Sequence, residues 1–274
     1  AFQCHAAALS NTQGWFASKG VSARAMGMGQ AFTAVSDDVN AIYWNPAGLA
    51  TNGGTEFSSM HTDLYDLGIM QNSLSFRRGN LGILWEGTDY QQLAGFICKE
   101  DTLVISFSRD LPTNTPLYVG ANIKGLFANV DSTDGSSKVR GLGVDLGLMA
   151  QLNYKTTLGL LLRDPISLTK GNATLGDEQL INKEKLAPQI NLGIALKNAK
   201  KSVTAFEIAD LTGKDTLHLG TEYRINNSVV IRGGLSSQGL SGGVGITASN
   251  WTVDYAFASN KVGNSNLMSL SYSF

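Results

Sequence analysis

The side chains that could do acid–base chemistry occur singly along this chain rather than in a recognised motif. His218 and Glu222 lie close together with serines nearby, and such a set could supply a general base, an acid and a nucleophile. The chain contains no Gly-x-Ser-x-Gly elbow, no His-Glu-x-x-His and no Gly-x-x-x-x-Gly-Lys loop. Cys4 and Cys98 are interpreted as incidental thiols, with a disulfide between them as the alternative. We therefore expect no enzymatic activity, no metal and no cofactor.

The composition favours a membrane β-barrel over a soluble enzyme or a nucleic-acid-binding protein. The 274 residues carry a net charge of −1, so no basic surplus exists to neutralise phosphates, and we expect no nucleic-acid partner. Charged residues make up 16%, against about 25% in an average soluble domain. No window approaches the roughly 20 consecutive apolar residues of a spanning helix. Low charge with 31 glycines suits strands in which apolar and small polar residues alternate.

Residues 1–52 and residues 53–274 differ in pattern and are predicted to be two parts, an N-terminal segment and a barrel. The first ten residues are interpreted either as the end of an export signal or as a mature N-terminus. A short helix is expected over residues 23–28. Apolar residues spaced by three and four over residues 31–42 predict a second short helix. The interpretation is a partly helical segment that plugs the barrel formed by the rest of the chain.

From residue 55 onward the apolar residues recur with a period of two, which predicts β-strands. The last strand shows the pattern clearly, because Met268, Leu270, Tyr272 and Phe274 alternate with serines. Most segments span about 9 to 11 residues, the length that a tilted strand needs to cross a bilayer. An even number of strands closes into a barrel without exposed edges. We predict fourteen antiparallel strands, near residues 55–64, 68–78, 80–88, 101–109, 116–128, 138–152, 155–163, 188–197, 201–210, 215–224, 228–235, 239–248, 250–258 and 266–274.

The lengths of the connections indicate the orientation of this barrel. Bacterial outer-membrane barrels have short periplasmic turns and longer extracellular loops. Short turns are predicted at residues 79, 153–154, 199–200, 225–227 and 249–250, with one longer exception at 110–115. The alternate connections include predicted loops at residues 89–100, 129–137 and 164–187, the last containing a short helix or a mobile stretch. We therefore expect a bacterial outer-membrane barrel with both termini in the periplasm.

The charged residues of the strands are predicted to face the barrel interior. An Arg or Lys on the lipid face costs about 2–4 kcal/mol at the bilayer midplane. Many neighbouring interior positions are glycines, which leave room for water or for residues 1–52. The aromatic residues interpreted as lipid-facing are Trp251, Tyr255, Phe257, Tyr272 and Phe274. The residues predicted to face the interior are Glu86, Lys124, Asp145, Arg163, Lys197, Glu207, His218, Glu222, Arg232 and Asp254.

Two features of the N-terminal segment are candidate contacts with the barrel. In Asn45-Pro46-Ala47, the Asn side chain can bond to its neighbouring backbone and Pro fixes φ, which gives a rigid turn that could seat the segment reproducibly. The alternative is an ordinary turn that ends a helix. Asp37 and Asp38 are expected either to pair with the interior Arg163 or Arg232, or to remain solvated at a helix end.

These residues carry a resemblance to a known family. Ala-x-Gly-x-Gly-x-Ala at residues 25–31, Asp37-Asp38 and Asn45-Pro46-Ala47 resemble the N-terminal hatch of the FadL/TodX-type outer-membrane transporters and the related PorV/PorQ group. The final Ser-Tyr-Ser-Phe resembles the aromatic-ended strand that the barrel assembly machinery recognises, through Tyr272 and Phe274. The resemblance implies a fourteen-stranded barrel plugged by a hatch. It also implies hydrophobic substrates that leave sideways through a gap in the wall, for which residues 80–88 are the expected place.

The expected function is an outer-membrane channel for small hydrophobic molecules, such as fatty acids or aromatic compounds, by hatch-gated passive diffusion. The expected partners are outer-membrane lipid, a hydrophobic small-molecule ligand and the assembly machinery, and the expected oligomeric state is a monomer. The alternative is a PorV-like barrel that anchors or presents partners in surface protein secretion without transport. A third possibility is a purely structural barrel.

Overall fold

The computed structural model describes residues 16, 19–93, 96–132, 135–175, 178–198, 201–213 and 215–274, so Cys4 lies outside the described residues. Three short helices precede the strands: α1 at Ala23–Gly27, α2 at Ala41–Trp44 and a 3-10 helix at Pro46–Thr51. Within the described ranges, no helix is long and apolar enough to cross a membrane. The strands are β1 (Thr55–Leu64), β2 (Ile69–Arg78), β3 (Leu81–Leu93), β4 (Phe96–Leu111), β5 (Leu117–Ser132), β6 (Gly135–Gln151), β7 (Thr156–Leu175), β8 (Glu178–Glu184), β9 (Gln189–Asn198), β10 (Ser202–Ala209), β11 (Thr216–Arg224), β12 (Val229–Ser236), β13 (Leu240–Ala248), β14 (Trp251–Ser259) and β15 (Asn264–Ser273).

All of these strands except β8 form a closed antiparallel barrel. The strands from β1 to β6 each pair with the next one along the chain, as do the strands from β9 to β15. β15 pairs with β1, and β7 pairs with both β6 and β9, which closes a ring of fourteen strands. The predicted fourteen-stranded barrel is confirmed. Within the described ranges, β8 pairs only with residues 169–175 of β7, and the sequence analysis did not predict this strand.

The three predicted long loops are wrong, because most of their residues continue the strands as hairpins. Asp89 pairs with Lys99 across β3 and β4, and Asn172 pairs with Ile181 across β7 and β8. A strand that leaves the bilayer need not alternate apolar and polar residues, so the period-two signal ends while the backbone ladder continues. The affected ranges are 89–100, 129–137 and 164–187.

The barrel has a low side and a tall side. Strands β4 to β7 contain 16 to 20 residues, whereas β9 to β15 contain 8 to 10. The long strands extend beyond the others at the end of the barrel opposite the β2–β3 turn, and we call this the hairpin end. The end that contains the β2–β3 turn is the short-turn end. The backbone amide of Phe274 donates to the carbonyl of Thr55 at 3.0 Å, so the barrel begins and finishes at the short-turn end. The periplasmic location of that end stays a prediction.

The outer face of the barrel is apolar. Trp251, Tyr272 and Phe274 form a ring cluster near the short-turn end, with centroids 4.6 and 4.8 Å apart. Large apolar side chains outside and charged side chains inside are the pattern of a barrel that spans a lipid bilayer. The exposed apolar residues include Leu74, Ile83, Leu103, Ile105, Ile123, Leu142, Leu158, Leu192, Leu219, Ile231, Val253 and Leu270.

Residues 19–52, the lumenal segment, lie inside the barrel, where the three short helices are joined by turns and irregular backbone. α1 agrees with the predicted first helix, but the predicted second helix is wrong, because residues 31–40 form turns and only α2 is helical. A helix would present one apolar face, whereas this segment is enclosed by strands all around. Its residues Phe32, Val35, Val39 and Ile42 are all buried. Turns let these apolar side chains point in several directions at once.

The interior glycines leave room for the lumenal segment rather than for water. A Cβ atom added to Gly120 or Gly147 would overlap the Asn45–Ala47 turn, and one added to Gly159 would overlap Thr33. A Cβ atom at Gly220 would overlap the backbone of Met28. These strands therefore need residues without side chains where the segment packs directly on the wall. Gly143 differs from these glycines, because a Cβ atom there would meet the side chains of Asp164 and Lys124 of the barrel instead.

Candidate functional site

The Asn45 side chain joins the lumenal segment to the barrel wall. Its Nδ2 atom donates to the carbonyl of Thr33 at 2.9 Å and to the carbonyls of Leu148 and Leu160 at 3.2 and 3.4 Å. Its Oδ1 atom accepts from the amide of Ala47 at 3.2 Å. Asn45 is extended, as a residue before proline prefers, and Pro46 begins the 3-10 helix. One buried amide therefore ties the turn to β6 and β7.

We expect Asn45→Ala to destabilise the protein by about 1–3 kcal/mol, because buried polar groups lose their partner. The free energy of unfolding in urea, measured in lipid vesicles, checks this value. Asn52→Ala is the matched control, since the Asn52 side chain is exposed and donates a long hydrogen bond, 3.5 Å to the carbonyl of Asp37. Equal effects of the two substitutions would contradict an anchoring role for Asn45.

Glu207 and His218 hold the first turn of the lumenal segment. The Glu207 carboxylate accepts from the amides of Phe32 and Thr33 at 3.0 and 2.9 Å, and from the Thr33 hydroxyl at 2.8 Å. The Nδ1 atom of His218 lies 2.7 Å from the carbonyl oxygen of Gly29. Because a carbonyl can only accept, Nδ1 carries the proton. His218 and Glu222 are not brought together, and each instead contacts other residues of the lumen.

A latch network of buried charges closes the lumen toward the short-turn end. Arg24 of α1 donates to Asp37 at 2.7 Å, to Asp38 at 2.9 Å and to Glu222 of β11 at 2.9 Å. Arg232 joins the same Glu222 at 2.7 Å. Burial alone would lower the pKa of Arg24, but the carboxylates of Asp37, Glu222 and Asp38 raise it well above its ordinary value. The network comprises Arg24, Asp37, Asp38, Glu222, Arg232 and Asp254, the last accepting from Arg232 at 2.7 Å.

The predicted pairing of Asp37 and Asp38 with Arg163 or Arg232 is wrong. Both aspartates bind Arg24 of their own segment, and Asp37 also lies 3.9 Å from Lys197 of β9. Sequence reasoning missed Arg24, although it is the only basic residue between positions 22 and 50. A single cation in an otherwise apolar and acidic stretch was the available signal.

A second group of charges lies toward the hairpin end. Lys124 bridges Asp145 at 2.8 Å and Asp164 at 2.7 Å. The Arg163 guanidinium lies 4.5 Å from the centre of the Tyr43 ring and donates to the Tyr43 carbonyl at 3.1 Å. The remaining predicted interior residue, Glu86, accepts from Gln71 at 2.7 Å. Lys19 of the lumenal segment forms an ion pair with Glu100, and sequence reasoning did not single out either residue.

Two cavities lie on either side of Arg163 in the part of the lumen that the structure describes. The mouth cavity, of about 280 Å³, is lined by Gln30, Trp44, Gln189 and Asn191 among others. The inner cavity, of about 40 Å³, lies between the segment and β3–β7. The Arg163 side chain lines both cavities. The inner cavity has both apolar and charged lining residues. The apolar and aromatic ones are Phe16, Ile42, Tyr43, Val104, Leu126 and Leu186, and the charged ones are Lys19, Glu86, Glu100, Lys124, Asp145, Arg163 and Asp164.

The barrel wall is interrupted beside the inner cavity. β7 pairs with β9 up to Arg163 and with β8 from Thr169 onward, so residues 164–168 and 185–188 form no ladder pairs with each other. Where β7 pairs with β6, the register shifts between Val144 and Asp145, so residues 164 and 165 form a bulge in β7. Asp164 in this bulge has a left-handed backbone conformation, and the next residue is a proline. We call residues 164–168 and 185–188 the wall interruption.

The Ser167 hydroxyl bridges the wall interruption. The Ser167 Oγ atom accepts from the Leu186 amide at 2.9 Å and donates to the Leu186 carbonyl at 3.3 Å. The expectation of a gap at residues 80–88 is wrong, because β3 pairs continuously with both neighbours from Leu81 to Tyr90. The irregular position lies instead on the seventh strand, where the sequence marks it with Asp164 before a proline.

The closed barrel, its apolar exterior and its filled lumen define a transmembrane β-barrel with an N-terminal plug. No family model matches the sequence, and no curated protein sequence matches it. Among solved structures, the chain is similar to the CymD monoaromatic hydrocarbon channel, with 17% identity, a TM-score of 0.65 and coverage of 94% of this chain and 99% of that one. It is also similar to the Ralstonia pickettii toluene transporter TbuX, with 15% identity, a TM-score of 0.63 and coverage of 94% and 100%.

A third similar structure is the Pseudomonas putida toluene transporter TodX, at 14% identity, with a TM-score of 0.65 and coverage of 93% of this chain and 99% of that one. The chain therefore has the fold of the FadL/TodX-type outer-membrane transporters.

Proposed function

We propose that this protein is an outer-membrane channel for the passive uptake of small hydrophobic molecules, such as fatty acids or aromatic compounds. The lumenal segment acts as its hatch, with Asn45, Pro46, Ala47, Asp37 and Asp38 as the residues that seat it. The observation that carries the proposal is the contact between the inner cavity and the wall interruption, because Leu186 lines the cavity and also seals the gap. The fold shared with toluene and monoaromatic hydrocarbon channels supports it.

The proposed route enters at the mouth cavity, passes Arg163 and leaves sideways at the wall interruption. Passage straight through the barrel would break the latch network, and removing one partner of a buried ion pair costs about 3–5 kcal/mol. Two neutral hydrogen bonds at Ser167 contribute only about 0.5–1.5 kcal/mol each. Ile166 and Leu168, which are 69% and 58% exposed on the outer face, offer an apolar surface at the exit. Sideways exit is therefore the easier path for an apolar molecule.

A cysteine pair across the wall interruption tests this route. We expect oxidised Ser167→Cys/Leu186→Cys, in a Cys4→Ser/Cys98→Ser background, to lower uptake of toluene and benzyl alcohol to the level of cells lacking the protein. A reductant should restore uptake, because the disulfide would hold the unpaired strands together. Uptake of the two labelled compounds by intact cells is the measurement.

The two single-cysteine variants under the same oxidant are the controls. They carry the same changes in side-chain size but cannot form the bridge. Uptake by the oxidised double-cysteine variant at the level of the two single-cysteine variants would contradict exit through the wall interruption.

The proposed setting is the bacterial outer membrane, with the short-turn end in the periplasm, surrounding lipid as the contact of the apolar exterior, and a monomer as the working unit. Tyr272 and Phe274 are proposed as the signal for the barrel assembly machinery. Their ring contact near the end of the last strand supports that assignment.

A second candidate is a PorV-like barrel that serves as an anchor or interaction partner in surface protein secretion, without transport. The tall hairpins of β3 to β8 favour it, because they offer a surface beyond the membrane. The uptake experiment separates the two functions. An anchor would give no uptake above that of cells lacking the protein, whether or not the cysteine pair is oxidised.

A further inference from the structure

The mouth cavity is lined by side chains with unused hydrogen-bonding capacity. The Nε atom of Arg163 is buried and has no partner among the described residues. Within the same part of the chain, the side-chain amides of Gln30 and Gln189 also make no hydrogen bond. Trp44 contributes an apolar surface beside them. The cavity therefore combines the Arg163 guanidinium and two free side-chain amides with the apolar surface of Trp44.

The other polar groups of the mouth cavity are already engaged. The Glu207 carboxylate accepts three hydrogen bonds from Phe32 and Thr33 and a fourth from Asn191 at 3.3 Å. The Asn191 oxygen accepts from the Asp210 amide at 3.1 Å, and both nitrogens of His218 have partners. These residues shape the cavity, and the free groups remain for a ligand.

A pure hydrocarbon is a poor ligand for such a cavity. It would displace water from Arg163, Gln30 and Gln189 and return no hydrogen bond, and a buried polar group left without a partner is strongly unfavourable. Sites built to bond a hydroxyl discriminate by orders of magnitude against analogues that lack it. An oxygen atom on the ligand would accept from Arg163 or Gln189 while its carbon skeleton contacts Trp44.

A negatively charged ligand is also disfavoured. Glu207 and Asp210 line the mouth cavity, and Arg163 is the single cation among its lining residues. The lining therefore has no surplus of positive charge that could offset the cost of desolvating an added anion. The chemistry that satisfies all the free groups is a neutral molecule with one or two oxygen atoms.

We infer that the substrate class is a neutral oxygenated hydrophobic molecule, namely a small aromatic or aliphatic alcohol, aldehyde or ketone. Arg163 and Gln189 are the residues that determine this specificity. The inference rests on the proposed function and narrows its substrate class. It places the selection step at the mouth cavity, before the molecule passes Arg163 into the inner cavity.

Binding of three compounds of similar size tests the inference: benzyl alcohol, toluene and benzoate. Their affinities for the purified protein in lipid nanodiscs are measured by saturation-transfer NMR, with empty nanodiscs subtracted. We expect benzyl alcohol to bind at least about tenfold more tightly than either other compound, the factor that roughly 1.4 kcal/mol provides. Toluene or benzoate binding as tightly as benzyl alcohol would overturn the inference.

Gln189→Leu tests the specificity residue without removing a charge. It should weaken benzyl alcohol binding and strengthen toluene binding, so that the preference shrinks. Gln151→Leu, at the short-turn end of β6 and away from the cavity, is the matched control and should leave the preference unchanged. Equal changes in both affinities with Gln189→Leu would contradict the assignment.

The uptake assay separates a failure of this inference from a failure of the proposed function. Equal protein-dependent uptake of toluene and benzyl alcohol would overturn the substrate class and leave the channel function in place. No protein-dependent uptake of either compound would overturn the channel function itself. Faster uptake of benzyl alcohol that Gln189→Leu slows would support both.

Discussion

Gly220→Val is expected to force the lumenal segment off the barrel wall. A Cβ atom at this position would overlap the Met28 backbone, which cannot move aside as a flexible side chain could. Overpacking of this kind destabilises a protein by about 1–3 kcal/mol, and a backbone obstacle puts the change at the upper end. We expect a lower free energy of unfolding in urea and a larger single-channel conductance in a planar bilayer, because water enters where the segment has lifted.

Gly233→Val is the matched control for this experiment. Gly233 lies on the neighbouring strand β12, but a Cβ atom there meets no described atom within 4 Å. Its substitution carries the same change in strand composition and should leave the conductance unchanged. A conductance that rises equally in both variants would show that the glycines act on the barrel rather than on the segment.

Arg24→Ala is expected to produce the largest loss of stability among the charged residues. Arg24 donates to three carboxylates that come from two different parts of the chain. Removing it leaves Asp37 and Asp38 without their shared partner, although Glu222 keeps Arg232. Breaking a buried ion pair in this way costs about 3–5 kcal/mol. The measurements are again the free energy of unfolding and the single-channel conductance.

Lys99→Ala is the control for Arg24→Ala. Lys99 pairs with Asp89 at 3.2 Å near the hairpin end, where the two side chains are 57% and 35% exposed. Such surface pairs contribute about 0–1 kcal/mol, so this variant should unfold close to the parent protein and keep its conductance. A small effect of Arg24→Ala, similar to that of Lys99→Ala, would mean that other contacts hold the segment in place.

The sequence alone was enough to predict the barrel. Each strand that crosses lipid must place apolar residues on one face. The apolar residues therefore recur with a period of two within single segments such as residues 266–274 and 250–258. The same rule placed charged residues such as Glu207 and Arg232 on the inner face. The alternation disappears where the strands leave the membrane, which is why β8 and the hairpin extensions were not predicted.

The lumenal segment and the exit depend on tertiary structure, because their contacts join residues far apart in the chain. Arg24 and Glu222 are separated by 198 positions, and Asn45 and Leu160 by 115. No local pattern encodes such partners. The spacing of Phe32, Val35, Val39 and Ile42 therefore predicted one helix, whereas inside the barrel these residues lie in turns, irregular backbone and the short helix α2. The wall interruption likewise appears only when β7 meets two different neighbours. The sequence by itself determined the barrel, because each strand that crosses lipid needs apolar residues on one face. The tertiary packing decided how the lumenal segment fills the barrel and where the wall is interrupted.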